Sequence, residues 1–115
     1  MRENIRDRGR LEHILEAIEN ALEFTENVSF DEFKTNAMLR YAVVKCVEIV
    51  GEASYKLTNE FREQHPDIEW DEIISMRHIL VHGYYQIENK IVWDTVKEYL
   101  PILKKKMDII LGHIK

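Results

Sequence analysis

A chain of 115 residues with 45% hydrophobic and 32% charged side chains has the balance of one folded domain, which excludes a wholly disordered protein. Its formal net charge of −5 argues against unspecific adhesion to nucleic acid, while leaving room for a local basic rim. A single cysteine, Cys46, excludes an internal disulfide framework, and no apolar run reaches the roughly 18 residues that span a bilayer.

The opening MRENIRDRGR is basic but lacks the apolar stretch of a signal peptide, so a soluble cytoplasmic protein is expected. Four helical segments then account for nearly the whole chain. The first covers about residues 5–24, where Leu11, Leu15, Ile18 and Leu22 fall on one face at spacings of 4, 3 and 4. A break at TENVSFDE follows. The second segment is predicted over about residues 31–64 and is apolar nearly all round from 37 to 50, which places it at the centre of a bundle. Cys46 sits there among Val43, Val44 and Val47 and reads as a buried structural thiol. Arg40, in the same stretch, calls for a buried partner such as a carboxylate, or else lies on an exposed stripe. Gly51 costs about 1 kcal/mol relative to alanine in a helix, and a kink or a close helix–helix contact would explain it.

Pro66 ends the second segment, because the residue before a proline is pushed away from helical angles. The third helix is predicted to start after PDIEW and to run to about His82, with Gly83 as its C-terminal cap. The fourth starts near Asn89. Trp93, Val96, Leu100, Leu103, Met107, Ile110 and Ile114 recur along it at alternating spacings of 3 and 4, the seam of a bundle. Pro101 would cost about 3 kcal/mol inside a regular helix, so a kink is expected over residues 99–101 with the seam kept in phase. Trp70 and Trp93 read as core anchors, and the basic clusters at Arg2, Arg6, Arg8 and Arg10 and at Lys104–Lys106 as solvated helix faces. The predicted fold is an all-α antiparallel four-helix bundle, residues 1–115 forming one domain with a long central helix and a kinked C-terminal one.

The chemistry concentrates in SMRHILVHGYY, residues 75–85. His78 and His82 are one helical turn apart, a spacing that suits two zinc ligands, but no third ligand is evident and no metal is assigned. Arg77 and His82 lie about 140° apart around an ideal helix, so one regular helix does not aim both at one point. Either the helix loosens at Gly83 and turns His82 inward, or two copies of the motif face each other across a twofold axis. An imidazole moves protons near neutral pH, a guanidinium clamps a phosphate, and RNA brings its own nucleophile in the 2′-hydroxyl. Those parts suffice for RNA cleavage without metal or cofactor. Taken by itself the pattern R-x4-H-x-Y is weak. Arg77 in a surface ion pair and His82 near a helix C-terminus fit it equally well.

Four collinear landmarks add specificity: IVGEASYKL (49–57), IEW (68–70), RHILVHGYY (77–85) and IVWDTVKEYLP (91–101). Over about residues 35–103 the chain resembles the HEPN superfamily, and within it the HepT-like toxins of HEPN/MNT toxin–antitoxin pairs. The motif is carried by Arg77, His82 and Tyr84. One departure is His78, where the family often has asparagine or another polar residue after the arginine. The resemblance implies a homodimeric helical bundle, alone or within a larger toxin–antitoxin complex, that acts as an endoribonuclease. Arg77 and His82 would be catalytic at the dimer interface, with His78 and Glu52 as supporting candidates. It also implies an antitoxin partner, a minimal nucleotidyltransferase that transfers AMP from ATP onto Tyr84 and silences the toxin. The alternative is a non-catalytic HEPN-like module that dimerises and binds a partner.

Overall fold

Two short polar residues, Asn36 and Thr58, decide how the middle of the chain is divided. The computed structural model describes residues 2–83 and 88–114. These form α1 (Arg2–Phe24), α2 (Phe30–Thr35), α3 (Ala37–Lys56), α4 (Asn59–Gln64), α5 (Trp70–Gly83), α6 (Asn89–Asp94), a π-helical turn (Thr95–Tyr99) and α7 (Leu100–Ile114), with no strand among the described residues. The segment expected as one helix over residues 31–64 is therefore three. Asn36 leaves helical angles at φ −106 and ψ 99, and its side chain accepts a hydrogen bond from the Leu39 amide at 3.0 Å. Thr58 does the same for α4, its hydroxyl accepting from the Phe61 amide at 3.1 Å. Both are N-caps, in which a side chain replaces the helix's own hydrogen bonding.

The second break is fixed from far away in sequence. The carboxylate of Asp7, 3% exposed, accepts from the Thr58 amide at 3.0 Å and from its hydroxyl at 2.8 Å. Arg10 pairs with Asp7 at 3.8 Å and donates to the Lys56 carbonyl. The start of α1 thereby grips the end of α3, and the two helices run antiparallel. At the other end of α1, Lys97 donates to the Thr25 carbonyl at 2.9 Å while its ammonium lies 5.1 Å from the centre of the Trp93 ring.

α3 is central, packed on α1 and on α5, while α1 also packs on α7. Leu11, Ile14 and Ile18 of α1, Val43 of α3, and Leu100, Leu103 and Met107 of α7 are fully or almost fully buried in one core. The C-terminal seam is buried as expected from Val96 to Ile110. Trp93 is half-buried and packs on Phe30 and Phe33, with ring centroids 6.0 and 5.2 Å away. The disturbance expected around Pro101 takes the form of the π-helical turn. The Leu100 amide reaches back to the Thr95 carbonyl, and this wider turn just ahead of the proline relieves the clash its ring would make in a regular helix.

Arg40 finds a backbone carbonyl, not a carboxylate. It donates to Lys34 at 2.6 Å, at the carbonyl-rich end of α2, where a cation is favoured. Cys46 is buried, and burial pushes its thiol up. The terminal basic clusters are largely spent on helix surfaces. Arg8 pairs with Glu12 at 3.1 Å, Lys104 with Asp108 at 2.8 Å, and Lys106 donates to the Asp67 carbonyl at 2.8 Å. No helix among the described residues is long and apolar enough to cross a membrane.

Candidate functional site

The site is built on α5, and its foundation is laid before the helix begins. The Trp70 ring is buried, its indole N–H donates to the His65 carbonyl at 3.0 Å, and its amide donates to the Ile68 carbonyl at 2.9 Å. These bonds tie the PDIEW stretch to the first turn of α5 and leave Trp70 inside the helix, where the sequence suggested it would precede it. Two residues of the next turns, Ile73 and Arg77, then face α3.

There α3 presents Gly51. A Cβ placed on Gly51 would fall closer than 3.0 Å to Cβ of Arg77, 3.0 Å from the Ile73 carbonyl oxygen and 3.1 Å from Cγ of Arg77. Of the two explanations for this glycine, a close helix–helix contact is the one found. Arg77 is half-buried, and its Nε is fully buried without a hydrogen-bond partner among the described residues. His78, one position on, is exposed.

α5 remains helical through His82 and Gly83, so the loosening that could have turned His82 toward Arg77 does not occur in the backbone. The two residues keep the separation of about 140° that a regular helix imposes. The side chain of His82 lies outside the described residues, as does all of Tyr84. Glu52 is not brought to Arg77 within one chain. It pairs with Lys56 at 3.4 Å and, with Arg10, His13, Ile49 and Ala53, lines a cleft of about 200 Å³ between α1 and α3. One step of about 100° along α3 separates Gly51, facing α5, from Glu52, at the open edge of this cleft.

A family model described as Ribonuclease HepT-like matches residues 14–110. The chain belongs to the HepT-like ribonuclease family. It is 42% identical over 97 residues to "Putative RNase MJ1380" of Methanocaldococcus jannaschii, covering 84% of this chain and 89% of that protein. It is 42% identical over 98 residues to "Probable ribonuclease HepT" of Thermococcus cleftensis, covering 85% and 89%. With "Putative RNase TTE0752" of Caldanaerobacter subterraneus the identity is 39% over 108 residues, covering 94% and 96%. No solved structure gives a significant match.

The HepT-like chain also carries two features that its sequence pattern concealed. α3 is not buried all round: Met38, Tyr41 and Tyr55 are 82%, 66% and 61% exposed. With Lys45, Glu48 and Glu52 they recur at spacings of 3 and 4, which is one face of the helix, and Tyr55 is four residues from Gly51. The charged residues at 45, 48 and 52 were the available signal for an outer face. The second feature is a cavity of about 210 Å³ between α3, α5 and the C-terminal arm, lined by Val47, Ile73, Met76, Tyr99 and Leu103, with Glu69 and Glu72 at its polar side. A side-chain hydrogen bond with Glu69 is the main cause that raises the Glu72 carboxyl.

The Tyr99 phenol is pushed up to about 12, first by burial and then by the negative charges of Glu69 and Glu72. Its ordinary value is 10.0. The unfolded chain therefore releases this proton before the folded one does, and stability falls as pH rises. The contribution is complete below pH 10.0 and is lost as the pH climbs toward about 12. Urea melts across that window should show declining stability, and Tyr99→Phe should flatten the decline. An unchanged slope in the variant would remove Tyr99 as its source.

Proposed function

We propose that this protein is the toxin of a toxin–antitoxin pair, a homodimeric endoribonuclease whose cleft is formed by α5 of both protomers. The observation that carries the proposal is Arg77, a motif arginine seated rigidly on α3 at Gly51, on a helix that cannot bring His82 to the same point. A second copy related by a twofold axis supplies the missing half. The exposed Met38, Tyr41 and Tyr55 on α3, the last of them one turn from Gly51, support such a pairing, because exposed side chains of this kind favour a protein interface. Family membership and the relatives' names support RNA as the substrate.

In the proposed reaction one His82 imidazole takes the proton of a ribose 2′-hydroxyl. The 2′-oxygen attacks the adjacent phosphorus, the bond from phosphorus to the 5′-oxygen breaks, and water gives that oxygen a proton while the imidazolium returns its own to solvent. The products are a 2′,3′-cyclic phosphate and a 5′-hydroxyl. Arg77 holds the non-bridging oxygens and opposes the charge that grows on them. The step needs no metal, since nucleophile, base and acid are all provided. His78, exposed on the same face as position 82, is a candidate to contact the RNA. Glu52 would have to act across the dimer, since within one chain it pairs with Lys56 and points away from α5.

Silencing follows from charge. A nucleotidyltransferase antitoxin would join the Tyr84 oxygen to the α-phosphorus of ATP and release pyrophosphate, leaving a negative AMP group next to the cationic cleft. Arg77→Ala and His82→Ala should each slow cleavage of a single-stranded RNA by about 100-fold or more, with wild-type activity retained in excess chelator. Cleavage by either variant at the wild-type rate would instead leave a non-catalytic interaction module. Incubated with such a nucleotidyltransferase and ATP, wild type should gain AMP by mass spectrometry and Tyr84→Phe should not. Equal labelling of the variant would place the acceptor elsewhere.

A further inference from the structure

We infer that Gly51 is a positioning residue for the RNA-cleaving site, one whose missing side chain sets where Arg77 begins. The inference rests on the ribonuclease reading for its catalytic meaning and on the helix crossing for its geometry. Three glycines lie in described helices away from the end of α5. A Cβ added at Gly9 or at Gly112 meets nothing within 4 Å, so alanine fits at either position. At Gly51 the obstacle is of a different kind. It consists chiefly of Cβ of Arg77 and the Ile73 carbonyl oxygen, which no rotamer change carries away, with Cγ of Arg77 beside them.

The only relief is a movement of α5 as a body relative to α3. Such a shift displaces the root of Arg77 together with everything α5 presents, whereas a catalytic constellation tolerates only about 0.5 Å of error. Misplacement on the order of 1 Å is enough to cost about 100-fold in rate. The guanidinium charge, however, is untouched, and so is the electrostatic attraction that brings RNA to the cleft. A substitution here should therefore depress the chemical step far more than the binding step. The buried Nε adds that the Arg77 side chain is covered beyond its root.

The test compares wild type, Gly51→Ala and Gly9→Ala by circular dichroism, RNA affinity and single-turnover cleavage. Gly51→Ala should keep its helix content and bind RNA within about threefold of wild type, yet cleave about 10- to 100-fold more slowly. Gly9→Ala should cleave as wild type does. Wild-type cleavage by Gly51→Ala would overturn the inference while leaving the ribonuclease reading in place, and absence of cleavage by wild type would overturn that reading instead. Side-chain ¹⁵N spectra of the wild-type protein decide the geometric claim whether or not RNA is cut or the variant folds. The Nε–H of Arg77 should exchange with solvent at least about tenfold more slowly than that of exposed Arg6. Equal exchange would overturn the inference.

Discussion

The constraint on which the molecule turns is the contact between the backbone of α3 at Gly51 and the root of Arg77 on α5. α3 is the central helix, and each of its faces is committed differently. One side is locked to α1, both through the shared core and through the Asp7 carboxylate that holds Thr58 just beyond the end of α3. Another side meets α5 at Gly51, where the root of the Arg77 side chain rests directly on the α3 backbone. A third face, with Met38, Tyr41 and Tyr55, remains exposed in a single chain. The core thus fixes α3, and α5, seated on it at Gly51, carries the candidate motif. Sites built on helices are more exact than sites built on loops. Here the exactness comes from a glycine, a residue that otherwise weakens a helix.

That rigidity explains why the motif reads poorly as a single-chain site. Arg77 and His82 are five residues apart on a helix that stays regular through Gly83, so their directions diverge by about 140°. Positions 77 and 82 on one regular helix can share a substrate only if another surface closes the cleft. Twofold symmetry is the least demanding way to provide one, since it reuses the same helix. The negative net charge of the chain is compatible with this arrangement. In the proposed dimer, attraction for a phosphodiester would come from paired cations inside the cleft, where focusing by low-dielectric walls outweighs the overall balance.

Much of the fold was legible because apolar spacing reports burial. The seam from Val96 to Ile110 and the stripe along α1 both appear where periodicity puts them. The collinear landmarks pointed to the family to which the chain belongs. The breaks at Asn36 and Thr58 were hidden because each depends on a local hydrogen bond, and Thr58 depends as well on Asp7, 51 positions away. The π-helical turn was legible only as a difficulty at Pro101, not as the particular remedy. Gly51 was recognisable as a kink or a helix contact, but neither the choice nor the partner was, since nothing in a spacing pattern says which residue of another helix lies opposite. The exposure of Tyr41 and Tyr55 was masked by apolar composition. Their outward direction shows only in the register they share with Lys45, Glu48 and Glu52.

The central claim, that each α5 supplies half of a composite ribonuclease site, is tested most directly by complementation. Arg77→Ala and His82→Ala proteins, each inactive alone, are unfolded together and refolded as a mixture, and RNA cleavage is measured. Random pairing makes half of the dimers mixed, and each mixed dimer has one Arg77 and one His82 intact on opposite chains. Activity should return to roughly a quarter of the wild-type value. A mixture as inactive as its two parents, although shown to contain mixed dimers, would contradict the account.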